Sequence, residues 1–543
     1  MQKQQYGKKL FLKNYNIMKN IFKKYFFIEK IFLILLFLLL SLFFTNPLIF
    51  NLDSFSKYLY NFDWYDAPQY VYHINYFKES LLKFQFPIPI KKYFYPEGLA
   101  PVYGSIIPLY CFINAFLSML TKIDEIIFHN IFIIFSVFLS GYAMYLLIHE
   151  LTKDKISSIT GGLLFMTSSQ IILSDAIIGH PDLVQLAWIP LIFLYLKKSI
   201  KNPQLKYGIL LGFFGALQFL SSQQYTIYLT TILPLYLILT DYKFFKNKKF
   251  IKLCLFSIFL FLIFTSWYMI FFIGKYYPRT IEENLKYSIN FNNILDFWHP
   301  VLLLPSFIGI ALVFKQKLKK IYPFFIIGIF TLFCSFGQFS NFAPYTILFK
   351  YWPFYDAFRT PFYMFNFMMI FICISVGLFF SYIYKKSKII TYFLLLFFIF
   401  ILYFSRPEAY FSDFISYKDI KNEKIILYET ISSNPEDFSI VEYPNSCNSI
   451  LNIIFHKKNL IGGCATTPPE AFQSFLNACG REILNVSNEN CYYFIKSFNI
   501  KYVIYNSEKY KNWDVLYEQS LKDSEFLKLE KQYKNNYIFR IET

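Results

Sequence analysis

Several features that mark familiar classes of soluble protein are scarce or missing in this sequence of 543 residues. Only 18 residues are glycine and 23 are proline, and no Gly/Ser-rich linker occurs, which argues against a disordered hub protein. The sequence has no nucleophile elbow, phosphate-binding P-loop, dinucleotide-binding fingerprint, kinase motif set or metal-binding histidine pair. Any catalysis by this chain would therefore rest on carboxylates and on the positioning of substrates.

Acidic residues are also scarce, with 35 Asp and Glu against 53 Lys and Arg, a net charge of +18. Such an excess would indicate a nucleic-acid partner if the lysines were clustered on a soluble domain. Most of them lie instead in short loops between apolar runs, as on the cytoplasmic side of a membrane protein. Because 56% of the residues are hydrophobic, we expect a lipid bilayer as the partner and no nucleic acid.

The apolar runs predict a polytopic, all-α membrane protein. The basic segment 1–30 holds eight lysines and one acid, which predicts a cytoplasmic N-terminus. A cleaved signal peptide is the alternative, but no small-residue cleavage site follows the first apolar run, which favours an uncleaved span. About eleven spans are predicted, near residues 31–50, 126–148, 156–173, 183–196, 207–221, 225–241, 253–273, 300–314, 322–337, 362–383 and 388–405.

One apolar stretch, Val102–Leu120, decides the orientation of everything after it. If it crossed the membrane, all of the later lysine-rich loops would lie outside, against the positive-inside rule. We therefore expect it to be interfacial or re-entrant. This leaves residues 31–405 as the transmembrane domain, with an external loop at 51–125.

The tail, residues 406–543, differs in composition, because strand-like pieces alternate with charged, helix-like stretches. It is long enough to bury a core of its own, so we expect an extracytoplasmic α/β domain. It holds four cysteines at 447, 464, 479 and 491, which allow three disulfide pairings or remain free thiols. No C-x-x-C spacing occurs, which argues against zinc.

Carboxylates and cations both occur in the outward loops of this topology, whereas the inward loops offer little besides lysine. Asp63 and Asp66 lie between aromatic residues in the first outward loop, and His180 and Asp182 lie in the second. Such carboxylates are suited to act as a general base. The alternative for Asp66 is an N-cap of the helix that follows, a role that can coexist with catalysis.

The candidate phosphate-binding cations are His180, Arg279 and Arg359, since cations on one face are suited to a phosphate group. Two of them have a structural alternative. His180 precedes a proline and would then only end a span, and Arg359, at the head of a span, would be an interfacial snorkelling residue.

The ordered set of motifs resembles a known family. Asp66 is followed by an amphipathic helix to Leu81, then by YFYPEGL at Tyr93–Leu99, then by SDAIIGHPDL, DAFRTPFYMFNF, IVEYP and IKYVIYN. This order is similar to that of the integral membrane glycosyltransferases of the C type (GT-C) that use polyprenyl-phosphate sugars. It most resembles their uncharacterised, YfhO-like branch.

The resemblance implies a GT-C-like transmembrane fold and transfer of a sugar from a polyprenyl-phosphate carrier to an extracytoplasmic glycan, lipid or protein. It implies Asp66 as the base, with Asp63 as second choice. Tyr65 stands where the family commonly has glycine before the acid, which leaves the choice between Asp63 and Asp66 open. His180, Arg359 and, less directly, Arg279 would hold the donor phosphate. A divalent cation is compatible with part of the family, but no ligand cluster in the sequence demands one.

Two alternatives from other classes remain open. A transporter or flippase for lipid-linked substrates predicts ionisable residues in mid-span and inverted repeats, whereas the predicted spans are almost free of mid-helix charge and show no repeat. A non-catalytic assembly protein of the cell membrane predicts that the loop acids are dispensable and that the tail is essential.

Overall fold

The chain is described here from a computed structural model that covers residues 28–60, 65–101, 106–167, 176–241, 246–272, 278–289, 300–358, 360–406, 408–464, 468–481, 484–486, 488–507 and 526–542. Helices make up most of it. The first part contains a helix over residues 28–44 (α1), strand β1 (Ser54–Ser56), α2 (Lys57–Tyr60), α3 (Ala67–Leu82), α4 (Pro108–Thr121), α5 (Glu125–Thr152) and α6 (Lys155–Met166).

The remaining helices of the apolar part are α7 (Pro181–Val184), α8 (Trp188–Lys201), α9 (Leu205–Ser221), α10 (Gln223–Asp241), α11 (Lys248–Met269), α12 (Ile281–Lys286), α13 (Leu303–Lys315), α14 (Tyr322–Ser335), α15 (Pro344–Tyr351), α16 (Phe365–Lys386) and α17 (Lys388–Phe404). Each predicted span falls largely on one of the helices. Within the described residues, four stretches are long and apolar enough to cross a membrane: Glu125–Thr152, Pro181–Lys201, Lys248–Phe272 and Pro361–Lys386. The number of about eleven crossings stays a prediction.

Helix α16 is the buried centre of the helical part, and glycines bring its neighbours close. A Cβ added at Gly377 would lie 2.4 Å from the backbone oxygen of Ser157 in α6. One added at Gly309 in α13 would lie 2.0 Å from the backbone oxygen of Ser375. Small residues at such crossings allow helix backbones to approach, which is how apolar helices pack where no water drives them together.

The C-terminal region contains β2 (Phe414–Ser416), α18 (Tyr417–Ser433), β3 (Ser439–Tyr443), α19 (Cys447–His456), β4 (Asn459–Leu460), α20 (Glu470–Cys479), α21 (Glu489–Ser497), β5 (Ile500–Asn506), β6 (Leu527–Tyr533) and β7 (Asn536–Ile541). Five strands form one sheet in the order β4-β3-β5-β7-β6. Strands β4 and β5 both pair parallel to β3, and β7 pairs antiparallel to β5 and β6. We refer to these five strands as the C-terminal sheet.

The segment between α1 and α5 is joined to the C-terminal region by backbone hydrogen bonds. Strand β1 pairs antiparallel with β2, with Phe55 opposite Ile415. Further on, the backbone N–H of Leu460 donates to the oxygen of Lys92 at 2.8 Å, and that of Tyr95 donates to the oxygen of Leu460 at 3.1 Å. The segment between α1 and α5 is therefore held against the C-terminal sheet, and this junction carries the candidate site.

Candidate functional site

Asp66 stands at the N-cap position of α3, but its side chain does not cap this helix. The backbone oxygen of Asp66 accepts a hydrogen bond from the N–H of Tyr70 at 3.2 Å, as the first turn of a helix requires. The carboxylate accepts no cap hydrogen bond from the described residues of α3. It is turned to other partners and remains available for chemistry.

The first of these partners is His180. Its Nε2 lies 2.9 Å from Oδ2 of Asp66, and the side chains are 21% and 27% exposed respectively. The pair is thus shielded from bulk water yet reachable from outside. An N–H donated by Nε2 orients the carboxylate, and a protonated imidazole adds a positive charge beside it.

A glycine makes this approach possible. Gly179 has φ +77°, in the left-handed region that favours glycine. A Cβ at this position would lie 2.7 Å from the Cβ of Ala67 and 2.8 Å from Nε2 of His129, both closer than real contacts allow. The turn before α7 can therefore pack against the start of α3 only with glycine at 179.

The other neighbour of Asp66 comes from the far end of the chain. Cys447, the first residue of α19, and Cys464 form a disulfide, and a second one joins Cys479 to Cys491. The Sγ atoms of Cys447 and Cys464 lie 3.0 Å and 3.6 Å from Oδ1 of Asp66. The site is thus assembled from the start of α3, the turn before α7 and the C-terminal region.

Three groups that can ligate a metal meet at this point, since Asp66 and the two cysteines lie within 4.8 Å of one another. Bonded sulfurs carry no thiolate charge, so the disulfide form offers a metal only the carboxylate. The reduced form would offer two thiolates and a carboxylate, a set suited to zinc. Sequence spacing alone does not reveal this cluster, because the cysteines are separated by 17 positions and Asp66 by a further 381.

Aromatic residues pack around the Asp66–His180 pair. The ring of Tyr70 lies 6.2 Å from that of His180 in an edge-on arrangement, and its hydroxyl donates to Oδ1 of Asp182 at 3.3 Å. The hydroxyl of Tyr110 lies 2.6 Å from Nδ1 of the buried His129. Asp182 is an acid that the loop pattern singles out, whereas no sequence signal marks Tyr70, whose position follows from being one turn after Asp66.

His73 is also buried in this neighbourhood, but its surroundings make it structural. Its Nε2 lies 2.7 Å from the hydroxyl of Tyr93, and the two rings stack at 6.0 Å. Burial lowers the pKa of His73 to about 3, so the imidazole stays neutral at neutral pH.

The remaining predicted site residues lie elsewhere. The backbone N–H of Arg279 donates to the oxygen of Asp356 at 2.7 Å, and its guanidinium lies 3.8 Å from Glu283. Arg279 is therefore in contact with Asp356, which precedes Arg359 by three positions in the sequence. Asp63 and Arg359 themselves lie outside the residues that the structure describes.

Comparison with known proteins adds a family and a fold. Residues 34–311, which include Asp66 and His180, match the family described as Domain of unknown function (DUF6311). The chain belongs to this family. No curated protein matches the chain in sequence.

Comparison with solved structures shows which folds this DUF6311 chain resembles. It is similar to the arabinofuranosyltransferase AftD from Mycobacteria, at 11% identity and a TM-score of 0.63, over 94% of this chain and 40% of that one. It is similar to the oligosaccharyltransferase AglB from Archaeoglobus fulgidus in complex with an inhibitory peptide and a dolichol-phosphate. The identity is 11% and the TM-score 0.55, over 90% of this chain and 70% of that one. It is also similar to ArnT from Cupriavidus metallidurans, at 9% identity and a TM-score of 0.52, over 88% of this chain and 93% of that one. The fold is thus GT-C-like.

Proposed function

We propose that this chain is a membrane glycosyltransferase that moves a sugar from a polyprenyl-phosphate carrier to an extracytoplasmic acceptor. The observation that carries the proposal is the Asp66 carboxylate, which does not cap its helix and is paired at 2.9 Å with His180 in a half-shielded position. A GT-C-like fold surrounds it. AglB, one of the similar structures, holds a dolichol-phosphate, which favours a lipid-linked donor here.

In the proposed reaction an acceptor hydroxyl attacks the anomeric carbon of the donor sugar with inversion. Asp66 accepts the hydroxyl proton while the new C–O bond forms, and the bond to the phosphate oxygen breaks with its electron pair on the phosphate. His180 holds Oδ2 of Asp66 and adds positive charge on the side where negative charge develops. Arg279, whose backbone N–H donates to the backbone oxygen of Asp356, and Arg359 are the proposed further phosphate ligands.

The proposal places the reaction at the outer face of the cell membrane. The basic N-terminus would lie in the cytoplasm and the C-terminal region outside, as the distribution of lysines predicts. The YfhO-like branch remains the proposed closer affiliation. Asp63 remains the second candidate for the base.

The test is a transfer assay in membranes with radiolabelled polyprenyl-phosphate sugars, comparing wild type with Asp66→Asn. We expect label to leave the lipid in wild type and the rate to fall about 10²–10⁴-fold in the variant, the usual worth of a general base. Asp124→Asn is the matched control, because Asp124 also holds an N-cap position without a side-chain cap bond in α5 but is 51% exposed.

Full transfer activity in both Asp66→Asn and Asp63→Asn, with both variants folded, would refute the proposed base. Labelled lipid that crosses the bilayer without losing its sugar would instead identify a flippase. No response to any carrier, with loss of cellular function on deletion of the tail, would favour the assembly protein.

A further inference from the structure

A polar cavity lies in the C-terminal region, separate from the Asp66 carboxylate. Its volume is about 300 Å³, at the lower end of the range of small-molecule clefts. It is enclosed by helices α18 and α19, by the ends of β3 and β5, and by the turn between β6 and β7. No role in the proposed transfer reaction accounts for it.

The topology of the sheet favours a ligand at this place. After β3 the chain turns to one side, through α19 to β4, and after β5 it turns to the other side, towards β6 and β7. The connections therefore diverge between two adjacent parallel strands. In open α/β sheets, ligands bind in the crevice outside the carboxyl ends of strands at such a switch point. Tyr443 and Asn506, the last residues of β3 and β5, both line the cavity.

Three asparagines of the lining retain an amide oxygen without a donor among the described residues: Asn448, Asn452 and Asn506. The amide nitrogen of Asn448 is already used, since it donates to the oxygen of Tyr60 at 2.8 Å. That of Asn452 donates to Oε2 of Glu442 at 2.8 Å, and Asn452 is 5% exposed. These bonds fix the amides with their acceptor oxygens left over, and buried acceptors without donors are unfavourable.

The rest of the lining defines the chemistry of the ligand. Three tyrosines, at positions 60, 428 and 443, also line the cavity, and Tyr60 is the least buried of them. The ionisable groups nearly balance, with Asp419, Glu423 and Glu442 against Lys424 and Lys534. Glu423 and Lys534 form an ion pair with each other. A charged ligand would find no excess of the opposite sign. A neutral ligand with many hydroxyl groups would supply donors to the amide oxygens and an apolar ring face to a tyrosine.

We propose that this cavity binds a neutral saccharide. The site lies next to the Asp66 site, because Ser446 and Asn448 line the cavity while Cys447 between them contacts Asp66. Binding of the saccharide does not require that the chain transfers sugar.

The test uses the full-length protein in detergent on an array of neutral and acidic oligosaccharides, followed by titration with the best neutral binder. We expect neutral saccharides to be retained and Asn506→Ala to weaken binding about tenfold or more, since it removes one hydrogen bond to the ligand. Asn448→Ala is the second variant. Asn477→Ala, at an exposed position of α20, is the matched control and should bind as wild type does.

Retention of acidic saccharides only, or of none, would overturn the proposal. So would unchanged affinity in Asn506→Ala and Asn448→Ala, with thermal midpoints confirming that both are folded. Asp66→Asn should bind the saccharide with wild-type affinity, which separates this proposal from the proposed transfer activity. A wild-type protein that binds the saccharide but transfers no sugar would refute only the latter.

Discussion

Two histidine–carboxylate pairs in this chain have the same chemical groups in opposite surroundings. Asp66 and His180 lie 2.9 Å apart with about a quarter of each side chain exposed. Glu442 and His456 lie 3.8 Å apart with 6% and 0% exposed. Burial raises the pKa of the Glu442 carboxyl and lowers the pKa of His456 to about 3, so burial favours the uncharged form of both.

The difference shows that surroundings, and not residue types, separate a candidate reactive pair from a structural one. Both oxygens of Glu442 are already used, Oε1 by the hydroxyl of Tyr428 at 2.8 Å and Oε2 by the amide of Asn452 at 2.8 Å. Asp66 has one oxygen on His180 and the other beside a disulfide that carries no proton. Only the first pair offers a carboxylate that an incoming hydroxyl can reach.

Exchanging each histidine for glutamine sharpens this comparison most strongly. We expect His180→Gln to lower the rate of sugar transfer about 10²–10³-fold, the usual cost of losing a group that stabilises developing charge. His456→Gln should leave the rate per folded molecule unchanged. Transfer rates in membranes, normalised to the amount of folded protein, are the measurement. A rate loss in His456→Gln as large as that in His180→Gln would contradict the distinction.

The two disulfides allow a similar comparison, because one of them contacts Asp66 and the other does not. They close loops of 17 and 12 residues, so serine substitution of both cysteines in either pair should cost about 3 kcal/mol of stability. Only Cys447→Ser with Cys464→Ser should also lower the transfer rate, because only this pair touches Asp66. Thermal midpoints and transfer rates of the two double variants decide the point. Equal effects of both on the rate would show that the contact with Asp66 is incidental.

Glycine 179 provides a smaller perturbation of the reactive pair alone. Gly179→Ala places a Cβ against Ala67 and His129 and strains a backbone with φ +77°, which costs about 1–3 kcal/mol. We expect a moved His180 and a transfer rate reduced about tenfold. In Gly215→Ala the new Cβ meets only Phe261 at 3.5 Å, an ordinary contact in a helix, so this control should retain activity and stability. Wild-type transfer by Gly179→Ala would show that the position of His180 is not critical.

Local pattern and long-range packing explain what the sequence predicts and what it does not. The apolar runs predict helices at the right places because hydrophobicity and helix formation are both local, and the strand-like pieces Ser439–Tyr443, Tyr502–Tyr505 and Tyr537–Ile541 fall within β3, β5 and β7. Asp66 and His180 stand out as polar residues in outward loops. The approach of Cys447 to Asp66, across 381 positions, depends on how the outward loop packs on the C-terminal sheet, which no local pattern contains.

The same limit applies to capping. By sequence, Asp66 fits an N-cap as well as it fits a base, since Asp is favoured at the N-cap position just before a helix. Only the position of His180, set by the turn at Gly179, shows that the carboxylate faces away from the helix. Likewise, nothing in the pattern around Glu442 distinguishes it from an exposed acid in a strand.

The dependence of stability on pH is the last consequence of the buried pair, and it should leave the rate of transfer untouched. Because the pKa of His456 falls from 6.5 to about 3 on folding, the unfolded chain binds more protons between these values. The contribution of His456 to stability is therefore complete above about pH 6.5 and is lost as the pH falls towards 3, with a slope of at most about 1.4 kcal/mol per pH unit. Glu442 acts in the opposite sense, since its raised pKa lowers stability as the pH rises above 4.5.

Thermal midpoints from pH 3.5 to 7.5 should show a weaker loss at acid pH in His456→Gln and a gain near neutral pH in Glu442→Gln. Identical pH profiles for wild type and both variants would mean that this pair is hydrated in solution, and the contrast with Asp66 and His180 would then fail.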